Sequence, residues 1–243
     1  MAIRASGRRC VSARYGKKGT GSVTRMNLSI VIPAYNEAKN IAAVLEKVYP
    51  LVDELIVVDD HSHDKTSAIA LNYPVTVIRH PINRGQGAAL ETGNQYALKN
   101  GADIIVHFDA DDQFKSEEIP VVLAPLLNDE ADAVFGSRFL GHANFPPLKR
   151  YLIMPLARQI NRWLGVRTTD PQSGFRALKR EIWEQITITN RGMAHCTEIL
   201  FKTVKTGCRL KEVPIDVTYH HFGQKISGGF RIIKDLLLQK FSN

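Results

Sequence analysis

Four short apolar runs between residues 28 and 138 each stop abruptly in polar residues, and this repeated ending constrains the fold more than any other feature of the chain. Residues 28–32 run into Pro33-Ala34-Tyr35-Asn36-Glu37, and residues 55–58 into Asp59-Asp60. Residues 104–108 run into Asp109-Ala110-Asp111-Asp112-Gln113, and residues 133–135 into Gly136-Ser137-Arg138. Such short runs, rich in β-branched residues, read as strands buried on both faces. Between them lie helical patterns: Ile41, Val44, Leu45 and Val48; residues 66–71; and residues 85–98 behind a glycine-rich turn. Residues 75–78 add a further strand. This alternation implies right-handed crossovers and a mostly parallel sheet, so the fold class is α/β, Rossmann-like. In such a sheet all the strand ends fall on one edge, where ligands bind. Each ending has a local explanation alone: Asn36 as a cap, Asp59 as a turn former, Arg138 as a solvated charge. Their convergence marks a site.

The second half is more mixed. Residues 141–148 read as a Pro/Gly-rich loop, and 149–164 as an amphipathic helix with Arg158 and Arg162 on its polar side. Residues 170–178 read as a polar turn and short strand, 197–206 as a helix, and 211–219 as a strand of period two. A last helix over 230–241 carries Ile232, Ile233, Leu236, Leu237 and Phe241 at helical spacing. With no linker in sight, residues 26–229 form one domain with a C-terminal elaboration, and 230–243 an amphipathic helix that packs on the domain or lies in a lipid interface.

The net charge of +8 suggests nucleic acid until its distribution is considered. Residues 1–25 hold seven basic residues and no acid, whereas the remainder holds 25 basic and 24 acidic residues. The basic character therefore belongs to a tail with almost no apolar periodicity, expected to be disordered. That tail reads as an extension upstream of a start at Met26, or as a targeting segment. The folded part shows no aromatic-basic patch, which argues against nucleic-acid binding. Cys10, Cys196 and Cys208 have no zinc or disulfide spacing and suggest a reducing compartment. No apolar run reaches the ~18–20 residues needed to span a bilayer.

The Asp109–Gln113 cluster is the sharpest chemical signal. Aspartates at i and i+2 on extended chain point the same way. Two carboxylates held so close repel unless a cation sits between them, and Mg²⁺ or Mn²⁺ carrying a substrate phosphate fits oxygen ligands. The competing reading is a cap for the helix near Ser116-Glu117-Glu118, which needs one acid rather than three.

Taken in order, Pro33-Ala34-Tyr35-Asn36-Glu37, Val57-Val58-Asp59-Asp60 with Asp64 and Thr66, Asn83-Arg84-Gly85, Asp109-Ala110-Asp111 and Gly136-Ser137-Arg138 resemble glycosyltransferase family 2. Asp170-Pro171-Gln172-Ser173-Gly174-Phe175-Arg176 and Glu212-Val213-Pro214-Ile215 resemble its branch of dolichol-phosphate mannose synthases and polyprenyl-phosphate sugar transferases. The resemblance implies a GT-A fold and an inverting, metal-dependent transfer of a hexose, of mannose or glucose type, from a GDP- or UDP-sugar to a polyprenyl or dolichyl phosphate. It implies that Pro33, Ala34, Tyr35, Glu37, Asp60 and Asp109 bind the nucleotide sugar, and that Asp109, Asp111 and Gln113 hold Mg²⁺ or Mn²⁺. Ser137, Arg138, Arg176, Glu198 and Lys225 would face the acceptor phosphate. Asp111, Arg138, Asp170 and Arg176 would serve catalysis, Asp170 as a base or a sugar-positioning group. Many relatives continue into membrane-spanning helices. A cytoplasmic protein peripheral to the membrane surface is therefore expected, with a separate membrane-anchoring protein as a candidate partner.

Three departures bear on this reading. His61 and Lys65 stand where the family usually has glycine, so any left-handed backbone there is harder for the lysine. The histidines His61 and His63 read as turn residues rather than a metal pair. Lys225, in Gly223-Gln224-Lys225-Ile226-Ser227-Gly228-Gly229, is displaced by one position. Two alternatives remain: the same fold acting on a saccharide, which needs a true base, or a non-catalytic nucleotide-sugar-binding subunit.

Overall fold

The computed structural model describes residues 2–4, 25–141, 168–192 and 194–217. Eight strands form one sheet: β1 (Ala2–Arg4), β2 (Leu28–Ala34), β3 (Glu54–Asp59), β4 (Thr76–Arg79), β5 (Ile104–His107), β6 (Ala133–Ser137), β7 (Arg176–Lys179) and β8 (Leu210–Pro214), in the order β1-β4-β3-β2-β5-β7-β6-β8. Four ladders, β4–β3, β3–β2, β2–β5 and β6–β8, are parallel. The helices are α1 (Ile41–Val48), α2 (Thr66–Ala70), α3 (Gln86–Lys99), α4 (Ile119–Leu127), α5 (Arg180–Trp183) and α6 (His195–Lys205).

The period-two geometry of the strands sorts their side chains between two cores. Ile30, Ile32, Leu55, Val57, Ile104 and Val106 pack against Ile41, Val44 and Leu45 of α1 and Val122 and Leu123 of α4. Val31, Ile56, Val58, Ile105 and Phe135 pack on the opposite face against Ala89, Leu90 and Ala97 of α3, Trp183 of α5, and Ile199 and Leu200 of α6. Burial on both faces explains why these strands read as unbroken apolar runs.

Strand order reverses between β2 and β5, which places the switch point between the ends of those strands, Pro33–Tyr35 on one and Asp109 on the other. β7 runs antiparallel to both its neighbours, so it begins at the edge where β5 and β6 end. Its first residue, Arg176, is thereby paired in register with His107 and Phe135. Sequence periodicity found the strand but not its direction.

Within the basic extension expected to lack structure, the backbone of Ala2–Arg4 adds an antiparallel edge strand on β4. The period-two run expected over 211–219 is shorter: β8 ends at Pro214, and Val217 makes an isolated bridge to Phe114. The expected helices over 149–164 and 230–241, and Lys225, lie outside the described residues.

Candidate active site

Beyond His107 the chain leaves the sheet and turns. Asp109 is partly buried, accepts a hydrogen bond from Gln86 Nε2 (3.1 Å), and presses on Gly174. A Cβ at position 174 would stand 2.6 Å from Asp109 Oδ2, so only glycine leaves the carboxylate its place. Asp111 lies close enough to feel it: burial, then the Asp109 charge, push the Asp111 carboxyl up to about 7. Burial also raises Asp109, against the pull of Arg176, His195 and Arg138. The Gln113 amide N–H donates to Asp111 Oδ1 (3.2 Å). Asp112 separates from the cluster. Its backbone is left-handed (φ 57°), and its carboxylate takes Lys47 Nζ at 2.8 Å and 2.9 Å. Two carboxylates that feel one another's charge, both raised by burial, therefore sit at the switch point.

Beside them, two loops are laced together. Asn36 N donates to Ser62 Oγ, Glu37 N to Thr66 Oγ1, Ala38 N to Asp64 Oδ2, and His63 N back to Asn36 Oδ1. Pro33 and Ala34 are buried under this knot, while Tyr35 is 43% exposed and meets the His63 ring edge-on at 6.3 Å. Glu37 accepts from Asn40 Nδ2, and its charge reaches Asp111. His61 adopts the left-handed conformation (φ 67°) where the family usually has glycine, whereas Lys65 (φ −83°) needs no such freedom. Asp60, expected at the base or ribose, is held by its own chain. Its carboxylate accepts from the Arg84 and Gly85 amides and from His80 Nδ1, filling three of about four acceptor positions. It anchors the turn into α3, where Gly85 (φ 90°) lies so close to the Arg191 carbonyl that a Cβ would stand 2.3 Å from it.

On the other side of Asp109, four expected roles change. Arg138 grips Asp170 through Nε (2.6 Å) and Nη2 (2.8 Å), and the Glu212 carboxylate accepts from the Thr169 and Asp170 amides. Asp170 is thus buried and paired with Arg138 rather than open. Ser137 is buried with its hydroxyl 2.6 Å from Thr169 Oγ1, not turned to an acceptor. Glu198 caps the 189–190 turn by accepting from Thr189 and Asn190, and it pairs with Lys202 (2.7 Å), so its oxygens are already engaged. Arg176 is wholly buried, with Nε donating to His107 Nδ1 (3.0 Å). That burial removes it from an open phosphate clamp and makes it a fixed charge behind Asp109.

Sequence reading missed His107, Gln86, His195 and Cys196. An imidazole inside an apolar strand was the available signal: burial, then the Arg176 charge, hold His107 neutral. His107 Nε2 bonds to Asn94 Oδ1 (2.8 Å), which leaves Nδ1 to accept from Arg176.

Residues 29–187 match the family model for glycosyl transferase family 2. The chain belongs to that family. It is 32% identical over 244 residues to a UDP-N-acetylglucosamine–dolichyl-phosphate N-acetylglucosaminyltransferase of Methanococcus voltae, covering 87% of this chain and 95% of that protein. It is 31% identical over 214 residues to a polyprenol monophosphomannose synthase of Mycolicibacterium smegmatis, covering 82% and 80%. In fold it is similar to glucosyl-3-phosphoglycerate synthase of Mycobacterium tuberculosis, crystallised with Mn²⁺, UDP and glucosyl-3-phosphoglycerate (TM-score 0.69, 24% identity, 87% and 79% covered). This family 2 enzyme is a glycosyltransferase with the GT-A architecture expected from its motifs.

Proposed function

We propose that this glycosyltransferase moves a hexose from a UDP- or GDP-sugar to a polyprenyl or dolichyl phosphate. The observation that carries the reading is the Asp109–Asp111 pair at the switch point, in a chain whose relatives are named as lipid-phosphate sugar transferases. Among the described residues no group of three or more His, Cys, Asp or Glu is arranged to hold a metal. Two repelling carboxylates do fit a hard divalent cation that draws its remaining oxygens from the substrate. Asp109, Asp111 and Gln113 would hold Mg²⁺ or Mn²⁺, which when bound neutralises charge on the leaving diphosphate. Gln86 and Gly174 fix the Asp109 carboxylate, and Tyr35 offers an exposed ring beside the nucleotide side of the cleft.

The acceptor side favours a charged nucleophile. A phosphate is already anionic near neutral pH and needs no strong base, whereas a sugar hydroxyl does. Asp170, the expected base, is locked onto Arg138. Its grip instead holds a guanidinium suited to phosphate at the acceptor edge. Among the described residues no helix is long and apolar enough to cross a membrane. A lipid acceptor would require the enzyme to work at a membrane surface.

The test is nucleoside-diphosphate release from UDP-glucose, UDP-N-acetylglucosamine and GDP-mannose, each with Mg²⁺, Mn²⁺ or a chelator. Each is run with a short polyprenyl phosphate and, separately, with a neutral saccharide. Release that requires both the lipid phosphate and the metal is expected. Equal release with the saccharide would overturn the acceptor assignment.

A further inference from the structure

The most unusual chemistry outside the donor site lies at the start of α6. Cys196 is the second residue of that eleven-residue helix, where backbone N–H groups and the helix dipole favour an anion. Its Sγ is 3.4 Å from His195 Nε2 and 3.9 Å from Arg176 Nη2. His195 is oriented for this contact, because its Nδ1 donates to the Gly192 carbonyl (2.8 Å) and leaves Nε2 facing the sulfur. Arg176 is oriented as well, by the chain from Asn94 through His107. Its Nη1 is buried with no hydrogen-bond partner, and His107, the group on its Nε, is neutral. The Arg176 charge therefore acts on both Asp109 and Cys196.

We propose that Cys196 is a modification site for small two-electron oxidants such as hydrogen peroxide, activated by the His195 and Arg176 contacts to its sulfur. Burial and the Asp109 charge push the thiol up, but Arg176 and then His195 outweigh them and bring it down to about 7. Cys196 is buried, with 5% of the residue exposed, so an oxidant that reaches it must be small. In the reaction the thiolate sulfur attacks one peroxide oxygen and the O–O bond breaks. The leaving hydroxide takes the proton of the His195 imidazolium and departs as water. The sulfur, oxidised by two electrons, becomes a sulfenic acid, and the peroxide is reduced by two. This assignment does not depend on which sugar or acceptor the enzyme uses.

Cys208 is the internal control. Its Sγ donates to the Thr203 carbonyl (3.6 Å), and it is only partly buried. The folded full-length protein is treated with hydrogen peroxide at pH 7 and quenched with catalase. It is then denatured in excess iodoacetamide, and the unalkylated fraction of each cysteine is read by peptide mass spectrometry. Cys196 is expected to be lost roughly tenfold faster than Cys208. In His195→Gln, checked for folding by circular dichroism, the ratio is expected to fall toward one. Loss of Cys196 no faster than Cys208 in the folded wild-type protein overturns the proposal, whatever the variant does.

Discussion

The two edges of the sheet use aspartate in opposite ways. At the edge where β6 and β8 begin, Asp132 accepts from Lys179 and Arg209, each nitrogen within 3 Å, and Arg209 also pairs with Asp129. The hydrogen bond from Arg209 leads in holding the Asp132 carboxyl far below its ordinary range. At the other edge, burial and a second carboxylate push Asp111 up to about 7. One edge is electrostatically satisfied and contributes stability. The other keeps two buried carboxylates whose charges conflict once both are ionised, as expected of a site maintained against stability.

The sharpest way to break this comparison is to neutralise both ends of the conflict. Asp109→Asn with Asp111→Asn is expected to reduce nucleoside-diphosphate release by roughly a thousandfold or more, since both proposed metal ligands are lost. The melting temperature is expected to hold or rise, because like-charge repulsion disappears with them. A large fall in melting temperature, with activity retained, would show that this edge is structural like the other.

Asp170 is the informative exception, a carboxylate on the active edge that is paired as tightly as those on the opposite edge. If it acts by orienting Arg138, Asp170→Asn lowers turnover by about 10- to 100-fold, and the loss is not additive with that of Arg138→Ala. A double-mutant cycle on acceptor-dependent release measures this. Additive losses would restore Asp170 as an independent base.

The same contrast explains what sequence could reveal. The succession of strands along the chain and their polar endings were legible, because apolar runs and their interruptions are local. So were the Asp109–Asp111 pair and Gly174, which belong to contiguous motifs. The partners were not legible. Arg176 reads as a phosphate ligand until the antiparallel direction of β7 sets it against His107 and buries it. Asp60 reads as a base contact until the 80–85 segment folds over and donates to it. A charged residue's role depends on which strand lies beside it, and hydrophobic periodicity carries no information about that.

Stability against pH separates the two edges without touching activity. The folded Asp111 carboxyl keeps its proton to about 7, against an ordinary 3.8, so between those values the folded state binds more protons than the unfolded chain. The metal-free protein therefore loses stability as pH rises through that window, and Asp111→Asn removes this dependence. Asp132 has the reverse sign: its contribution is complete above the ordinary aspartate value and is lost as pH falls through the lowered one. Asp132→Asn is expected to cost about 1–2 kcal/mol at pH 7 in urea unfolding and to leave turnover unchanged.

The smallest expected effect sharpens the comparison inside the active edge. His61 holds φ 67°, which a side chain adopts at about 1–2 kcal/mol, while a glycine there would give back part of that gain through the freedom of the unfolded chain. His61→Gly is thus expected to raise stability by no more than about 1 kcal/mol. The His61 ring packs edge-on against His63 at 5.4 Å, and His63 in turn meets Tyr35, so the strained residue completes an aromatic row with them. If that row contributes to donor binding, the more stable variant shows a higher KM for the nucleotide sugar with kcat little changed. An unchanged KM would mean that His61 carries its strain for no gain in donor binding, and the row would belong with the satisfied, purely structural contacts of the opposite edge.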